Sequence, residues 1–267
     1  MSIAEVAADR LEVGHPADPV IEADGISVAF EGVKALEDVT LAVGRNEVFG
    51  LIGPNGAGKT TFMNVLSGFQ RPTAGSVRVG GGVMTGVRPE KIAKAGVGRT
   101  FQAVRPFGRL TVQQNVELGA IGAGVARREV RERTAEMLDA LSLTHRRDSY
   151  ADALPHGEER RLGIARALAG GPQVLLLDEP AAGTNESESD ELVASLLAVK
   201  ARFSCSLVII EHDMRLIMGI CERIHVLDFG RSIAEGTPAQ VRANPAVLEA
   251  YLGVNETSET GGQDAAG

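Results

Sequence analysis

Gly53-Pro54-Asn55-Gly56-Ala57-Gly58-Lys59-Thr60 fits the pattern G-x-x-x-x-G-K-[ST], and the residues on either side decide how it is read. Before it, Val48, Phe49, Leu51 and Ile52 form an apolar run that reads as a buried strand; after it, Thr61, Phe62 and Met63 open a helical pattern. That strand-loop-helix context makes the stretch a phosphate-binding loop rather than a chance Gly-rich turn. Gly53, Gly56 and Gly58 allow backbone conformations closed to residues with a Cβ, so successive N–H groups can point into one concavity and hold phosphate oxygens. Lys59 supplies a cation for β- and γ-phosphates and Thr60 a hydroxyl for Mg²⁺. The start of the next helix adds positive dipole potential.

Composition narrows what such a loop can serve. A chain of 267 residues is long enough for one large α/β domain, or for a core domain with an inserted subdomain, and 44% hydrophobic content supports a full core. The formal charge of −8 argues against a nucleic-acid binder that works by neutralising phosphates, which draws on clustered Lys and Arg. Arg127, Arg128, Arg131 and Arg133 do cluster, but Glu129, Glu132 and Glu136 are interleaved with them, as on a solvated helix face with paired charges. The N-terminus lacks the basic start, apolar core and cleavage site of a signal peptide, and no apolar run approaches the roughly 18 residues of a membrane span. The expectation is a soluble or peripheral protein. Cys205 and Cys221 lack zinc-ligand or redox spacing and read as small hydrophobes, in keeping with a reducing, cytoplasmic setting.

Along the chain, residues 1–19 read as a poorly ordered leader and residues 254–267 as a flexible tail. Short apolar alternation over 21–29 and 39–43, separated by Glu31-Gly32-Val33-Lys34, predicts antiparallel strands ahead of the loop, with Phe30 between them. A strand at 77–79, a short helix at 91–94 and a strand near 97–101 follow. From about 102 to 154 the pattern turns helical, with Val130, Met137, Leu138 and Leu141 on one face, which predicts an inserted helical subdomain. A helix at 158–168 leads to Val174-Leu175-Leu176-Leu177-Asp178, a strand apolar throughout, as expected when both faces of a parallel sheet are covered. The remaining expectations are helix 188–200, strand 207–210, helix 213–219, strand 223–227, a turn at Asp228-Phe229-Gly230 and a helix over 238–252.

A phosphate loop alone does not separate kinases, GTPases, motors and transport ATPases, so its companions decide. Asp178, at the carboxyl end of a buried strand, can reach Mg²⁺ directly or through water, and Glu179 is placed to polarise a water that attacks a γ-phosphate. Two acids after an apolar strand could instead cap a helix, but Pro180 follows at once.

Just ahead of that strand, Leu154-Pro155-His156-Gly157-Glu158 resembles the Leu-Ser-Gly-Gly-Gln signature of the ATP-binding cassette family, and Arg160-Arg161-Leu162-Gly163-Ile164-Ala165-Arg166-Ala167-Leu168 is similar to the helix that follows it. The resemblance implies an α/β P-loop NTPase core of RecA-like type, with an antiparallel β subdomain and an inserted α-helical subdomain (about 102–165) in a cassette over 20–253. It also implies further roles. Gln102 resembles the glutamine that meets Mg²⁺ or its water and reports to the helical subdomain. Phe30 resembles the aromatic that stacks on adenine, residues 181–185 the loop after the acidic pair, and His212 the switch histidine at the γ-phosphate. A lone histidine or an exit glutamine is more often structural or solvated.

The signature departs from the family pattern at Pro155, His156 and Glu158. Pro155 removes a hydroxyl and an N–H that would face the phosphate of an opposed subunit. Gly157 and the helix start remain, so dipole stabilisation survives in part.

Within the family the resemblance is to ATPase subunits of branched-chain amino acid importers. It is carried by Arg99-Thr100-Phe101-Gln102, by Leu110-Thr111-Val112 with Asn115-Val116, by the run ending Pro180-Ala181-Ala182-Gly183-Thr184-Asn185, by Ile210-Glu211-His212-Asp213-Met214 with Val226, and by Glu235-Gly236-Thr237-Pro238 on to Tyr251-Leu252-Gly253. It implies ATP and Mg²⁺, separate permease subunits, a second cassette in a homo- or heterodimer, indirectly a solute-binding protein, and a place on the inner face of the cell membrane. Val104, Phe107 and Leu110 are then candidate contacts for a membrane partner, or simply core. Urea or short-chain amide uptake, lipopolysaccharide export and a non-transport cassette ATPase are the rival functions.

Overall fold

The structure, a computed structural model, describes residues 16–101 and 106–251. The expected tail, Gln102, Val104 and all but the last four residues of the expected leader lie outside them. Among the described residues, β1 (Ile21–Phe30), β2 (Val33–Val43), β3 (Val48–Ile52), α1 (Lys59–Leu66), β4 (Ala74–Val79), β5 (Gly82–Val83), α2 (Pro89–Lys94) and β6 (Val97–Arg99) form the first part. Helices α3 (Val112–Ala123) and α4 (Arg127–Ala140), then two short 3₁₀ turns, lead to α5 (His156–Leu168). The last part is β7 (Val174–Asp178), α6 (Glu186–Phe203), β8 (Ser206–Ile210), α7 (Met214–Ile220), β9 (Arg223–Asp228), β10 (Arg231–Gly236), α8 (Pro238–Ala243) and α9 (245–251).

Two sheets carry these strands. One has the order β2-β1-β4-β5 and is antiparallel. The other has the order β10-β9-β3-β8-β7-β6, parallel from β9 to β6, with β10 antiparallel at the edge. The parallel strands bury both faces. Leu175, Leu177, Leu207 and Ile209 face a cluster shared with α3, α4, α5 and α6, whereas Val174, Leu176, Val208 and Ile210 face a cluster shared with β1, β2, β4 and α1. That alternation explains strands apolar at every position: a period of two points successive side chains into two different cores.

Several expectations change in detail. The first hairpin turns on Glu31 and Gly32 alone, both at positive φ (48° and 90°), so β2 starts at Val33 rather than Val39. In its first half Lys34, Glu37 and Asp38 face outward or are paired around the single buried Leu36, which hides it from an apolar pattern. Strand β10 was not expected, because Arg231, Ser232 and Glu235 break the apolar run; Ser232 and Glu235 instead bond the buried His225 of β9 at 2.8 and 2.6 Å. The single helix expected over 238–252 is broken at Asn244, where Pro245 pushes the preceding residue to extended backbone (φ −77°, ψ 121°).

The helical region packs as its pattern predicts. Val130, Met137, Leu138 and Leu141 are buried, while Arg127, Arg128, Glu129, Arg131, Glu132 and Glu136 face solvent. Thr111 caps α3 in a capping box with Gln114. Asn115 is fully buried and satisfied: it accepts from Phe107 N (2.8 Å) and donates to the carbonyls of Phe107, Leu110 and Thr111, pinning the preceding loop to α3. Cys205 and Cys221 are buried, and burial pushes both thiols up to about 12. No helix of the described residues is long and apolar enough to cross a membrane.

Candidate functional site

The phosphate loop joins β3, at the centre of the parallel sheet, to α1. Its glycines differ in what they require. A Cβ on Gly53 (φ 149°) would lie 2.0 Å from the Leu227 carbonyl oxygen, and one on Gly58 (φ 99°) 2.7 Å from that of Ala35; Gly56 (φ 80°) has nothing within 4 Å. Two of the three are thus held by contact as well as by conformation. Gly230 N donates to Ala57 O (3.0 Å) and Ala57 N to Pro54 O (3.2 Å), fixing the loop from the β9–β10 turn. No side chain caps α1, so its first N–H groups remain available to an anion beside exposed Thr60 and half-buried Thr61. Lys59 is buried and folds back over the loop, donating to Gly53 O (2.7 Å) and Pro54 O (2.9 Å). Burial lowers its pKa, against the pull of Glu179 and Asp178.

Asp178 ends β7, two strands away in the same sheet. Burial raises the pKa of its carboxyl, opposed by Arg99, whose guanidinium lies 3.4 Å away. Glu179 follows with φ 49°, an uncommon conformation for a non-glycine residue, its N–H bonded to Ile210 O at 2.9 Å. The carboxylate of Glu179 meets His212 Nε2 at 2.8 Å. Lys59, Asp178, Glu179 and His212 therefore come together at the carboxyl end of the parallel strands, beside the loop.

Phe30 is half-exposed at the tip of the β1–β2 hairpin, whose Ala35 and Leu36 touch Gly58. The residues expected from the signature sit elsewhere. Pro155, the N-cap of α5, Gly157 and Glu158 line a cavity of about 220 Å³ with Arg160, Arg161, Thr184, Glu188, Glu191 and Leu192, and no residue of the phosphate loop takes part in it. Leu154 is partly buried, packed on the helical core. Glu158 turns back to accept from Arg146 (2.9 Å) and His145 (3.2 Å), so its charge is met within the chain. His156 is exposed, with Nε2 3.2 Å from Arg160.

Residues 36–182 match the family described as "ABC transporter". The chain belongs to that family. Residues 231–257 of this cassette also match "Branched-chain amino acid ATP-binding cassette transporter". It is 40% identical over 250 residues to the high-affinity branched-chain amino acid transport ATP-binding protein BraF of Pseudomonas aeruginosa, covering 88% of this chain and 98% of that one. Identity to LivG of Escherichia coli, described in the same terms, is 38% over the same shares. Among solved structures, a nucleotide-free ATP-binding cassette from an ABC transporter superposes with a TM-score of 0.80 at 29% identity, over 87% of this chain and 98% of that one. A dimeric post-hydrolysis cassette bound to ADP and Pi gives 0.71 at 25% identity, over 82% and 98%. The cassette is an ATPase with the P-loop NTPase fold expected of it.

Three charged residues of the cassette's site escaped sequence reasoning. Arg99 donates to Asn64 Oδ1 (2.7 Å), Ser67 Oγ (2.6 Å) and Asp178, with its guanidinium 4.8 Å from the Phe101 ring centroid. Arg160 donates to the carbonyls of Pro180 (2.8 Å) and Ala182. Glu211 accepts from the N–H groups of Ala181 and His212. The only signal was position, since all three lie inside runs that carried the family resemblance. Gln102 lies outside the described residues.

Proposed function

We propose that this chain is the ATP-hydrolysing subunit of an importer for branched-chain or related amino acids, working as one of two cassettes against separate permease subunits on the inner face of the cell membrane. The observation that carries the hydrolytic half is the Glu179–His212 pair held beside the phosphate loop, Lys59 and Asp178. The solute assignment is supported by the match of residues 231–257 and by relatives described as branched-chain amino acid transport proteins.

The chemistry follows from the residues. Loop N–H groups from 53–61 and the Lys59 ammonium hold the phosphates, while Phe30 offers an aromatic face to adenine. The Thr60 hydroxyl, the Asp178 carboxylate and Gln102 are hard oxygen donors suited to Mg²⁺, and no cluster of three or more His, Cys, Asp or Glu among the described residues would hold an ion by itself. When bound there, such an ion would supply charge neutralisation at the phosphates. Glu179 takes the proton of the attacking water, and His212 orients Glu179 and faces the γ-phosphate. The signature cavity shares no residue with the phosphate loop; an opposed cassette would complete the site with its Pro155, His156 and Gly157, a reading supported by the relative solved as a dimer. Leu154 then acts from behind, packed on the helical core, while Glu158 lines the same cavity with its charge paired to Arg146.

Replacing Glu179 by Gln tests this. ATP binding should persist while single-turnover hydrolysis falls by about 10² to 10⁴, the usual worth of a positioned base. Normal turnover would refute the role. Leucine uptake in vesicles reconstituted with permeases from the neighbouring genes separates amino acid import from urea or amide uptake.

A further inference from the structure

The segment after Glu179 is gripped from two sides by groups of opposite charge. Arg160, reaching from α5, is buried and donates to Pro180 O and Ala182 O; Glu211, at the end of β8, is buried and accepts from the N–H of Ala181 between them. The two side chains feel each other: after the lowering by burial, Glu211 is the largest charge acting on the Arg160 pKa, and it raises it. Inside the segment, Ala182 N donates to Glu179 O (3.2 Å), and both Thr184 N (3.2 Å) and Thr184 Oγ1 (2.7 Å) donate to Ala181 O. Arg160 also lines a small pocket together with Thr100, Phe101, Asp178, Glu179 and Pro180.

Glu179 needs such a grip. A non-glycine residue at φ 49° persists only where its surroundings over-determine the backbone. Here the Glu179 N–H is held by Ile210, and its carbonyl by Ala182, whose own carbonyl is held by Arg160. A planar guanidinium is suited to two carbonyls two residues apart, where an ammonium presents one point charge.

We propose that Arg160, opposed by Glu211, is a positioning residue for hydrolysis: its fork on Pro180 and Ala182 sets the backbone of Glu179 and with it the place of the carboxylate that activates water. The same guanidinium reaches His156 Nε2 at 3.2 Å, so the signature residue offered to an opposed nucleotide is one hydrogen bond from the clamp. The inference rests on Glu179 being the hydrolytic base.

The test uses the purified full-length chain with R160M and R160K, each alone and combined with E179Q, in single-turnover hydrolysis with protein in excess over MgATP. ATP affinity and thermal unfolding are measured in parallel. R160M should slow hydrolysis at least tenfold with ATP affinity within twofold of the parent. R160K, which keeps the charge but not the fork and guards against a loss of folding, should stay at least fivefold slow. In the E179Q background either substitution should change the residual rate by less than twofold, because the residue acts through Glu179. Parental rates in both variants, an equal loss in the E179Q background, or loss of ATP binding with the rate would overturn the proposal. Full turnover by E179Q alone would instead overturn the assignment of the base.

Discussion

Alanine at each loop glycine should produce three different results, although all three sit within six residues of one motif. Gly56→Ala meets nothing within 4 Å and changes only the backbone, at φ 80°; left-handed strain of about 1–2 kcal/mol is its whole effect. Gly58→Ala carries similar strain, at φ 99° and ψ 1°, and adds contacts of 2.7 Å with Ala35 O and 2.8 Å with Leu36 Cδ2. Overpacking of that kind adds about 1–3 kcal/mol, for roughly 2–5 in all. Gly53→Ala would place its Cβ 2.0 Å from Leu227 O, a backbone atom of β9 that cannot swing away, so the strand or the loop must shift. Urea unfolding followed by circular dichroism reads the order. With an m-value of about 3 kcal/mol/M, G58A should unfold roughly 0.7 M below G56A. G53A should unfold below both. Equal midpoints for G56A and G58A, or G53A as stable as G56A, would refute the reasoning that contact rather than conformation separates these glycines.

Lys59→Ala should weaken ATP binding itself, by at least tenfold in equilibrium titration, since the ammonium is the cation nearest the loop carbonyls; unchanged affinity would count against the loop assignment. Pro155→Ser restores a hydroxyl and an N–H at the N-cap of α5, which has no side-chain cap, so the composite site it completes should hydrolyse ATP severalfold faster in single turnover; no change would sink the idea that this signature is the weaker half. Both thiols, raised to about 12, should expose a thiolate fraction of roughly one in ten thousand at pH 8, so a disulfide reagent should label Cys205 and Cys221 only after unfolding; rapid labelling of the folded chain would contradict their burial.

Much of the site was legible because its chemistry is local. The loop needs glycines, a lysine and a threonine at fixed spacing, and a parallel strand covered on both faces must be apolar throughout, so the residues at its exit stand out. Asp178 and Glu179 were singled out that way, whereas His212 came from the family resemblance. Boundaries suffered where a strand's partners are polar: β10 carried no strand signal because its Ser232 and Glu235 satisfy His225 on the neighbouring β9, which no periodicity reports.

By itself, the sequence pointed to a nucleotide-phosphate site, an alternating parallel core, and a signature that departs from its family at three positions. Only the tertiary structure decided how those parts are held. Arg99 meets Asp178 across 79 positions, Arg160 meets Pro180 and Ala182 across 20 and 22, Glu211 meets Ala181 across 30, and Glu158 is neutralised by Arg146 across 12. A charged side chain's partner is fixed by the packing of distant elements, and a buried charge is tolerated only where that packing supplies one.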